Sequence, residues 1–357
     1  MKLIIENTKR LSGRILIPPS KSHTIRAVII ASLAKGVSKI RNPLLSADTL
    51  AAVNACRALG AKIETDNNNL WKVTGFNRKP KNPRKVLDLA NSGTALILIS
   101  GIVSLGDFET TLDGDNSLQS RPMQPLLKSL TDLGAKTESL RNNGKCPLRI
   151  KGSIIGGKTK IEGINSQFIS SLLISSPLTK NGAEINVFNL NEIPYIRMTL
   201  AWLSFQGIKF EKKEDLTKFK IPGNQSYRPF EKTIPADWSS AAFPLVASAI
   251  TKSDILLQGL DMDDVQGDKE IIEYMKKMGA KINIDSKGIK LNPSSLQGID
   301  IDINKTPDAL PALAVLGCFA KGVTRLHNVA SARIKETDRI KAMASELKKM
   351  GARIEEI

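Results

Sequence analysis

Four stretches of the sequence set hydroxyl, amide and basic side chains immediately ahead of apolar runs. The first, Ser20-Lys21-Ser22, follows Pro18-Pro19 and leads into an apolar run over 25–33, with Arg26 close behind. A helix starting there exposes backbone N–H groups beside Ser20, Lys21, Ser22 and Arg26, good ground for a phosphate or a carboxylate. The plainer reading is a helix cap with a solvated lysine. In Asn91-Ser92-Gly93-Thr94 the polar side chains can cap the segment that follows, and Gly93 lets backbone approach a ligand. Arg121, at the end of GDNSLQSR, stands just before Pro122 at a helix start, where a guanidinium can clamp a carboxylate or phosphate through two parallel hydrogen bonds. Asn165-Ser166-Gln167 opens a helix expected over 166–175 with hydroxyl and amide donors. Each motif alone is a common cap; together they are four donor-bearing helix starts in one basic chain.

Acids stand among cations in two further places. In Lys335-Glu336-Thr337-Asp338-Arg339, a helix beginning at Lys335 would put Lys335 and Arg339 four apart and Glu336 and Arg339 three apart, so that an acid sits beside two cations near a positive helix end. A solvated ion-pair cluster is the alternative. However, the run joins an apolar strand over 323–329 to an amphipathic helix, a place where loops present binding groups. Asp308, entering the apolar segment TPDALPALAV, is an N-terminal cap or a general base. His23, at the first helix start, can donate to an anion, and His327, at a strand end, suits a core or supporting position; two histidines in the whole chain form no metal site. Cys56, Cys146 and Cys318 are too far apart for a metal pattern; Cys56 and Cys318 lie in apolar runs and are expected to be buried, with Cys146 near a turn.

The elements that must position these groups recur. An apolar-periodic segment ends in glycine and runs toward a strand five times, at Gly60, Gly134, Gly207, Gly279 and Gly351, with intervals of 74, 73, 72 and 72 residues. Each unit is expected to hold a helix closed by a glycine, a second helix and about four short strands. Strands are expected at 14–17, 161–162 and 185–190, and a helix at 50–59 capped from Ser46 to Thr49. Ile340, Met343, Leu347 and Met350 recur at helical spacing and predict one buried stripe. Strand–helix repeats of this kind make α/β lobes. The polar stretch 211–228 is the expected hinge, and 66–85 and 141–146 are expected hairpin loops. With three units to a lobe, a sixth unit is expected to be missing from the second lobe.

At 357 residues the chain suffices for two domains. Its formal charge of +17 suits nucleic acid, a membrane surface or small anions drawn into a positive cleft. The lysines are spread without a polybasic tail and aromatics make up only 4%, which disfavours nucleic acid. No segment reaches a membrane span and the N-terminal apolar run is short for a signal peptide, so a cytoplasmic protein with no membrane partner is expected.

The segments PPSKSHTIRA, ANSGTA, GDNSLQSRPM, NSQF, PYI, DWSSAA, QGD, PDALPALAV and RIKETDRIKAMASELKKMGA occur in the order seen in the 5-enolpyruvylshikimate-3-phosphate (EPSP) synthase family, and the resemblance spans 11–356. It implies an α/β, two-lobed enolpyruvyl transferase fold of repeated βαβαββ units, resembling an inside-out α/β barrel, with the last unit missing. The implied lobes are 18–234, binding shikimate 3-phosphate, and 1–17 plus 235–357, incomplete. The implied activity transfers the enolpyruvyl group of phosphoenolpyruvate to the 5-hydroxyl of shikimate 3-phosphate. Hydroxyl attack at C2 and protonation of the methylene give a tetrahedral intermediate, from which phosphate leaves; no cofactor or metal is required. Carried over by motif, Lys21, Ser22, Arg26, Ser166, Gln167, Tyr195, Asp308 and Lys335 would hold shikimate 3-phosphate, and Lys21, Arg121, Asp308, Glu336 and Arg339 would surround phosphoenolpyruvate. Asn91, Gly93, Thr94, Asn165 and Ser331 complete the substrate-binding set. Asp308 is the expected base and Glu336 the expected acid, with Lys21 the competing candidate. A monomer is expected.

The chain departs from the family pattern at Ile97, where an arginine is usual, at Glu192 and Ile193, where serine and lysine precede PYI, at Arg197, where aspartate is usual, and at Ser331, where asparagine or histidine is found. The sister transferase acting on UDP-N-acetylglucosamine carries a catalytic cysteine loop that SLQSRPM lacks. A noncatalytic or truncated family member, and a nucleic-acid binding or processing protein built from similar repeats, are the alternatives.

Overall fold

The five repeated glycines close five helices in the same way. In the computed structural model, which describes residues 4, 6, 8, 10–67, 69–251 and 253–357, Gly60, Gly134, Gly207, Gly279 and Gly351 have φ values of +109°, +115°, +71°, +95° and +90°. Each glycine N–H bonds to the carbonyl three residues back, and the next N–H to the carbonyl five back, as from Ala61 to Cys56 (3.0 Å) and from Ala280 to Met275 (2.9 Å). This double closure needs a left-handed residue at its centre, which is why glycine recurs there.

In chain order the elements are β1 (Ser12–Leu16), α1 (Lys21–Leu33), β2 (Val37–Arg41), α2 (Ala47–Ala58), β3 (Lys62–Asn67), β4 (Leu70–Thr74), β5 (Leu87–Asp88), α3 (Gly93–Val103), β6 (Glu109–Asp113), α4 (Gln124–Asp132), β7 (Lys136–Ser139) and β8 (Leu148–Lys151). There follow β9 (Gly157–Glu162), α5 (Ser166–Ser175), β10 (Ala183–Phe188), α6 (Ile193–Phe205), β11 (Glu211–Lys212), β12 (Lys218–Ile221), β13 (Glu231–Thr233), α7 (Trp238–Thr251), β14 (Asp254–Gln258) and α8 (Ile271–Lys277). The last are β15 (Lys281–Asp285), β16 (Gly288–Asn292), β17 (Asp300–Asp302), α9 (Leu310–Cys318), β18 (Arg325–His327) and α10 (Arg339–Lys349).

These elements form βαβαββ repeats. In β5-α3-β6-α4-β7-β8 and β9-α5-β10-α6-β11-β12, the first two strands pair in parallel and the last two add antiparallel, giving open sheets of order β5-β6-β8-β7 and β9-β10-β12-β11. Two more sheets have the same order but take their first strand from far along the chain: β13 runs parallel to β2 in β13-β2-β4-β3, and β1 runs parallel to β14 in β1-β14-β16-β15, from Ser12 opposite Asp254 to Leu16 opposite Gln258. A fifth repeat contributes the parallel pair β17 and β18, with α9 between them and α10 after.

The chain divides into two compact lobes. The larger comprises 19–234 and 334–336, and the smaller comprises the described residues of 1–18 together with 235–333 and 337–357. In the larger lobe α1, α3 and α5 are buried on nearly every face, which accounts for apolar runs too continuous for a one-sided helix. The smaller lobe has its own core, including Ile17, Trp238, Leu245, Leu257, Ile271, Met275, Ile301, Leu313 and Leu316.

Several expectations from the sequence need correction. The stretch 211–228 is not a free hinge: it contains β11 and β12, and Asp215 Oδ1 accepts from the Thr217 N–H (3.0 Å) to form the turn between them, while Phe219 and Ile221 turn inward. The loop expected over 66–85 is shorter, because alternation over Leu70–Thr74 places Trp71 and Val73 inside and makes a strand. Gly351 is not followed by a strand, since residues 352–357 have no antiparallel partner among the described residues. The α10 stripe is covered at three of its four residues: Ile340 and Met343 pack on the core and Leu347 is buried, but Met350 is 81% exposed. The apolar strand expected over 323–329 shortens to β18, and His327 is exposed within it. Cys318 is exposed because α9 turns Ala312, Leu313 and Leu316 inward instead. Of the N-terminal stretch and the 66–85 loop, Met1, Lys2, Leu3, Ile5, Asn7, Lys9 and Asn68 lie outside the described residues. Among the described residues no helix is long and apolar enough to cross a membrane.

Candidate active site

In the larger lobe the donor-bearing helix starts share one end. Ser171 Oγ donates to the Ile97 carbonyl at 2.7 Å, and a Cβ on Gly101 would meet Ser171 and Ser175, so α3 and α5 advance in the same direction. Arg26 in the second turn of α1 reaches Ser170 Oγ in the second turn of α5 (3.4 Å), which brings the start of α1 to the same level. Ser20, Ser92 and Asn165 are the N-caps, accepting from the N–H groups of His23, Ala95 and Gln167. Lys21 is exposed at the first position of α1, with Ser22 next to it partly covered. Thr94 and Ser166 are buried, Gln167 is half-buried, and Tyr195 is buried at the start of α6.

Arg26 is among the largest fully buried side chains, 1% exposed. Its Nε donates to Thr199 Oγ1 (2.9 Å), Nη1 to the Ser22 carbonyl (3.1 Å), and Nη2 to Ser170 Oγ and the Tyr195 carbonyl (3.3 Å). These acceptors are all neutral oxygens. Burial therefore pulls the guanidinium down to about 10.

Arg121 is held by a relay. Its Nη2 donates to Asn91 Oδ1 (2.8 Å), Asn91 Nδ2 donates to Asp115 Oδ2 (2.6 Å), and Asp115 Oδ1 accepts from the Leu118 N–H (2.8 Å). The Leu118 amide first, and the Asn91 amide second, hold the Asp115 carboxyl below the usual carboxylate range. Gly93 lies under the guanidinium: a Cβ there would stand 2.4 Å from Arg121 Nη1. The close approach expected of Gly93 is thus made by Arg121.

The run 335–339 differs from its sequence expectation. Helix α10 begins at Arg339, because Asp338 accepts the Lys341 N–H (3.1 Å) and caps it there. Lys335 and Glu336 precede the helix and do not stand at helical spacing from Arg339. Instead Lys335 Nζ lies 2.5 Å from Glu192 Oε1, while Glu192 Oε2 accepts from Ser166 Oγ (3.0 Å). The Glu336 carbonyl accepts from Ser117 Oγ (2.7 Å), and the Glu336 side chain is exposed.

In the smaller lobe Arg339 Nη1 donates to Asp308 Oδ1 at 2.5 Å and to the Pro307 carbonyl at 3.4 Å. Neither helical start beside Asp308 has a side-chain cap, so of the two roles open to this acid, capping is removed. Ser331 lies half-buried in the 3-10 turn Ala330–Ile334. Asp338 also takes Arg333 Nη1 at 3.0 Å, which ties the start of α10 to the preceding turn.

The sequence matches the family described as EPSP synthase (3-phosphoshikimate 1-carboxyvinyltransferase) over residues 5–357. The chain belongs to the EPSP synthase family. The 3-phosphoshikimate 1-carboxyvinyltransferase of Acetivibrio thermocellus is 49% identical over 348 residues, covering 98% of this chain and 82% of its own length. That of Methanococcus aeolicus is 44% identical over 362 residues, covering 99% and 84%. The solved EPSP synthase from Acinetobacter baumannii is 27% identical with a TM-score of 0.77, covering 95% of this chain and 78% of that one.

Of the groups that support the family motifs, Thr199 and Ser170 for Arg26, and Glu192 as the partner of both Lys335 and Ser166, lie outside them, while Asp115 for Asn91 lies within GDNSLQSRPM. Glu192 was visible as a departure just before PYI; Thr199 and Ser170 carried no signal, being ordinary hydroxyls in apolar helices. His23 is not an anion donor through Nδ1, which accepts from Trp202 Nε1 at 3.0 Å in the interior. Cys56 and Cys146 are buried and pushed up to about 12 by desolvation, which leaves their thiols inert.

Proposed function

We propose that the gathered helix starts of the larger lobe hold shikimate 3-phosphate while this chain transfers the enolpyruvyl group of phosphoenolpyruvate to its 5-hydroxyl, releasing phosphate. The observation that carries the site reading is the meeting of Lys21, Ser22 and Arg26 with Asn91, Gly93, Thr94 and Arg121 and with Asn165, Ser166 and Gln167 at one end of three buried helices. Helix N-termini, an arginine clamp and a buried cation bonded to neutral oxygens all favour an anion. Tyr195 and Lys335 join the shikimate 3-phosphate set. The phosphoenolpyruvate set comprises Lys21, Arg121 and Glu336 from the larger lobe and Asp308 and Arg339 from the smaller, and Ser331 belongs with the substrate-binding residues.

In the addition step the 5-hydroxyl oxygen bonds to C2 of phosphoenolpyruvate, its proton passes to Asp308, and the C3 methylene gains a proton from Glu336. In the elimination step C3 returns a proton, the C2–O bond to phosphate breaks, and the enolpyruvyl ether remains. Arg339, which already holds Asp308, fixes the base and places a cation near the substrate carboxylate. Proton transfers of this kind are worth roughly 10²–10⁴ in rate. The protein acts as a cytoplasmic monomer on small anions, with nucleic acid no partner.

Phosphate release from phosphoenolpyruvate, with and without shikimate 3-phosphate, tests the scheme. Release should require shikimate 3-phosphate and fall by about 10²-fold or more in Asp308→Ala and in Glu336→Ala. Release that is equal in those variants, or absent from a wild-type chain that binds shikimate 3-phosphate, would overturn it.

A further inference from the structure

Glu192 is a buried acid that the proton transfers above do not use. Its side chain is 1% exposed and that of Lys335 is 15% exposed. One carboxylate oxygen meets the Lys335 ammonium (2.5 Å) and the other the Ser166 hydroxyl (3.0 Å). Ser166 is the first residue of the ten-residue helix α5, so the carboxylate lies at the positive end of a helix, between an ammonium and a hydroxyl. A phosphate monoester asks for the same surroundings. The backbone of Glu192 is also unusual: at φ +54° and ψ +40° it is left-handed, which disfavours a side chain. Ile193 and Pro194 begin α6 directly after it, and the Tyr195 N–H bonds to the Glu192 carbonyl (3.1 Å), so the turn is pinned from its C-terminal side.

We propose that Glu192 is a specificity-determining residue whose carboxylate fills the anion position made by Ser166, Lys335 and the start of α5, and so sets how strongly this site takes a phosphate dianion. With Glu192 in place, the ammonium of Lys335 is neutralised and Ser166 is committed as a donor. A phosphate approaching the two meets a fixed negative charge and must displace it. The inference rests on the assignment of Ser166 and Lys335 to shikimate 3-phosphate.

Calorimetric titration of shikimate 3-phosphate, and of shikimate as its phosphate-free counterpart, into the wild type, Glu192→Gln and Glu192→Gly tests it. Glutamine keeps the shape and removes the charge; glycine accepts the left-handed backbone without strain and serves if the glutamine variant does not fold. Removing one like charge at this range should tighten shikimate 3-phosphate by at least about tenfold while shikimate changes by less than about twofold. A general loosening of the site would move both ligands together. If the wild type binds shikimate 3-phosphate but the ratio between the two ligands is unchanged or falls in the folded variants, the inference is overturned and the proposed function stands. If neither the wild type nor the variants bind shikimate 3-phosphate, the function reading fails and the inference fails with it.

Discussion

Replacing Arg26 by methionine separates the stability of the larger lobe from its affinity for an anion. Keeping a guanidinium charged where burial pulls it to about 10 costs about 3 kcal/mol relative to water, at 1.36 kcal/mol for each tenfold. Its hydrogen bonds return about 1 kcal/mol each. Removing it should leave few buried groups stranded: Thr199 Oγ1 lies 2.8 Å from Ser170 Oγ and 3.2 Å from the Tyr195 carbonyl, and the Ser22 carbonyl belongs to the α1 ladder. The unfolding free energy of Arg26→Met should therefore differ from the wild type by less than about 2 kcal/mol. The charge matters more to a bound anion: at roughly 4 Å and an effective dielectric of about 20 the attraction is about 4 kcal/mol, so shikimate 3-phosphate should bind about 10²–10³-fold more weakly. Denaturant unfolding and calorimetric titration measure the two sides. The pH dependence has a definite sign. Below about 10 both folded and unfolded chains hold the proton and the burial cost is fully present; above it the folded chain releases the proton first, so the wild type gains stability relative to the variant. Loss of more than about 3 kcal/mol with binding kept within about tenfold would refute the reasoning and make Arg26 a structural pin.

Two further outcomes follow from the Arg121 relay. Gly93→Ala places a Cβ against Arg121 Nη1 and should push the guanidinium off Asn91; steady-state kinetics should show KM for phosphoenolpyruvate raised by about tenfold, with thermal stability unchanged or higher, and an unchanged KM would count against the clamp. Because Asp115 titrates below its ordinary range in the folded chain, its contribution is present above that range and is lost as pH falls through the folded value. The melting-temperature gap between the wild type and Asp115→Asn should thus close as pH drops below about 4, and a gap independent of pH would refute the assignment.

What the sequence made legible was set by local backbone chemistry. The five glycines, the Ser46 and Ser92 caps and the Asn165 cap depend on a few neighbouring residues, and each was readable as written. The strand expected after Gly351 was not decided locally, since a strand exists only against a partner. The helix expected from Lys335 begins instead at Arg339, because Asp338 caps it there, which shifts the start by four positions and releases Lys335 to Glu192. Exposure of Cys318 and His327 was equally hidden, because an apolar neighbourhood in sequence says nothing about which face of α9 or β18 turns outward. The candidate site residues stood out by type. Their supports, Thr199, Ser170 and Asp115, could be found only in three dimensions.

The exchange of first strands imposes a timetable on synthesis. Strand β1 is translated ahead of residues 19–234, yet its ladder partner β14 follows it by 242 residues, from Ser12 to Asp254. At roughly 5–20 residues per second that interval is about 12–48 s. The larger lobe waits in the same way: β13 follows its partner β2 by 192 residues, from Lys39 to Glu231, and completes that sheet just before the chain passes to α7. Until then the nascent protein carries strands with bare edges, β1 throughout the interval and β2 for most of it, the state in which holdase chaperones and sheet-edge aggregation compete.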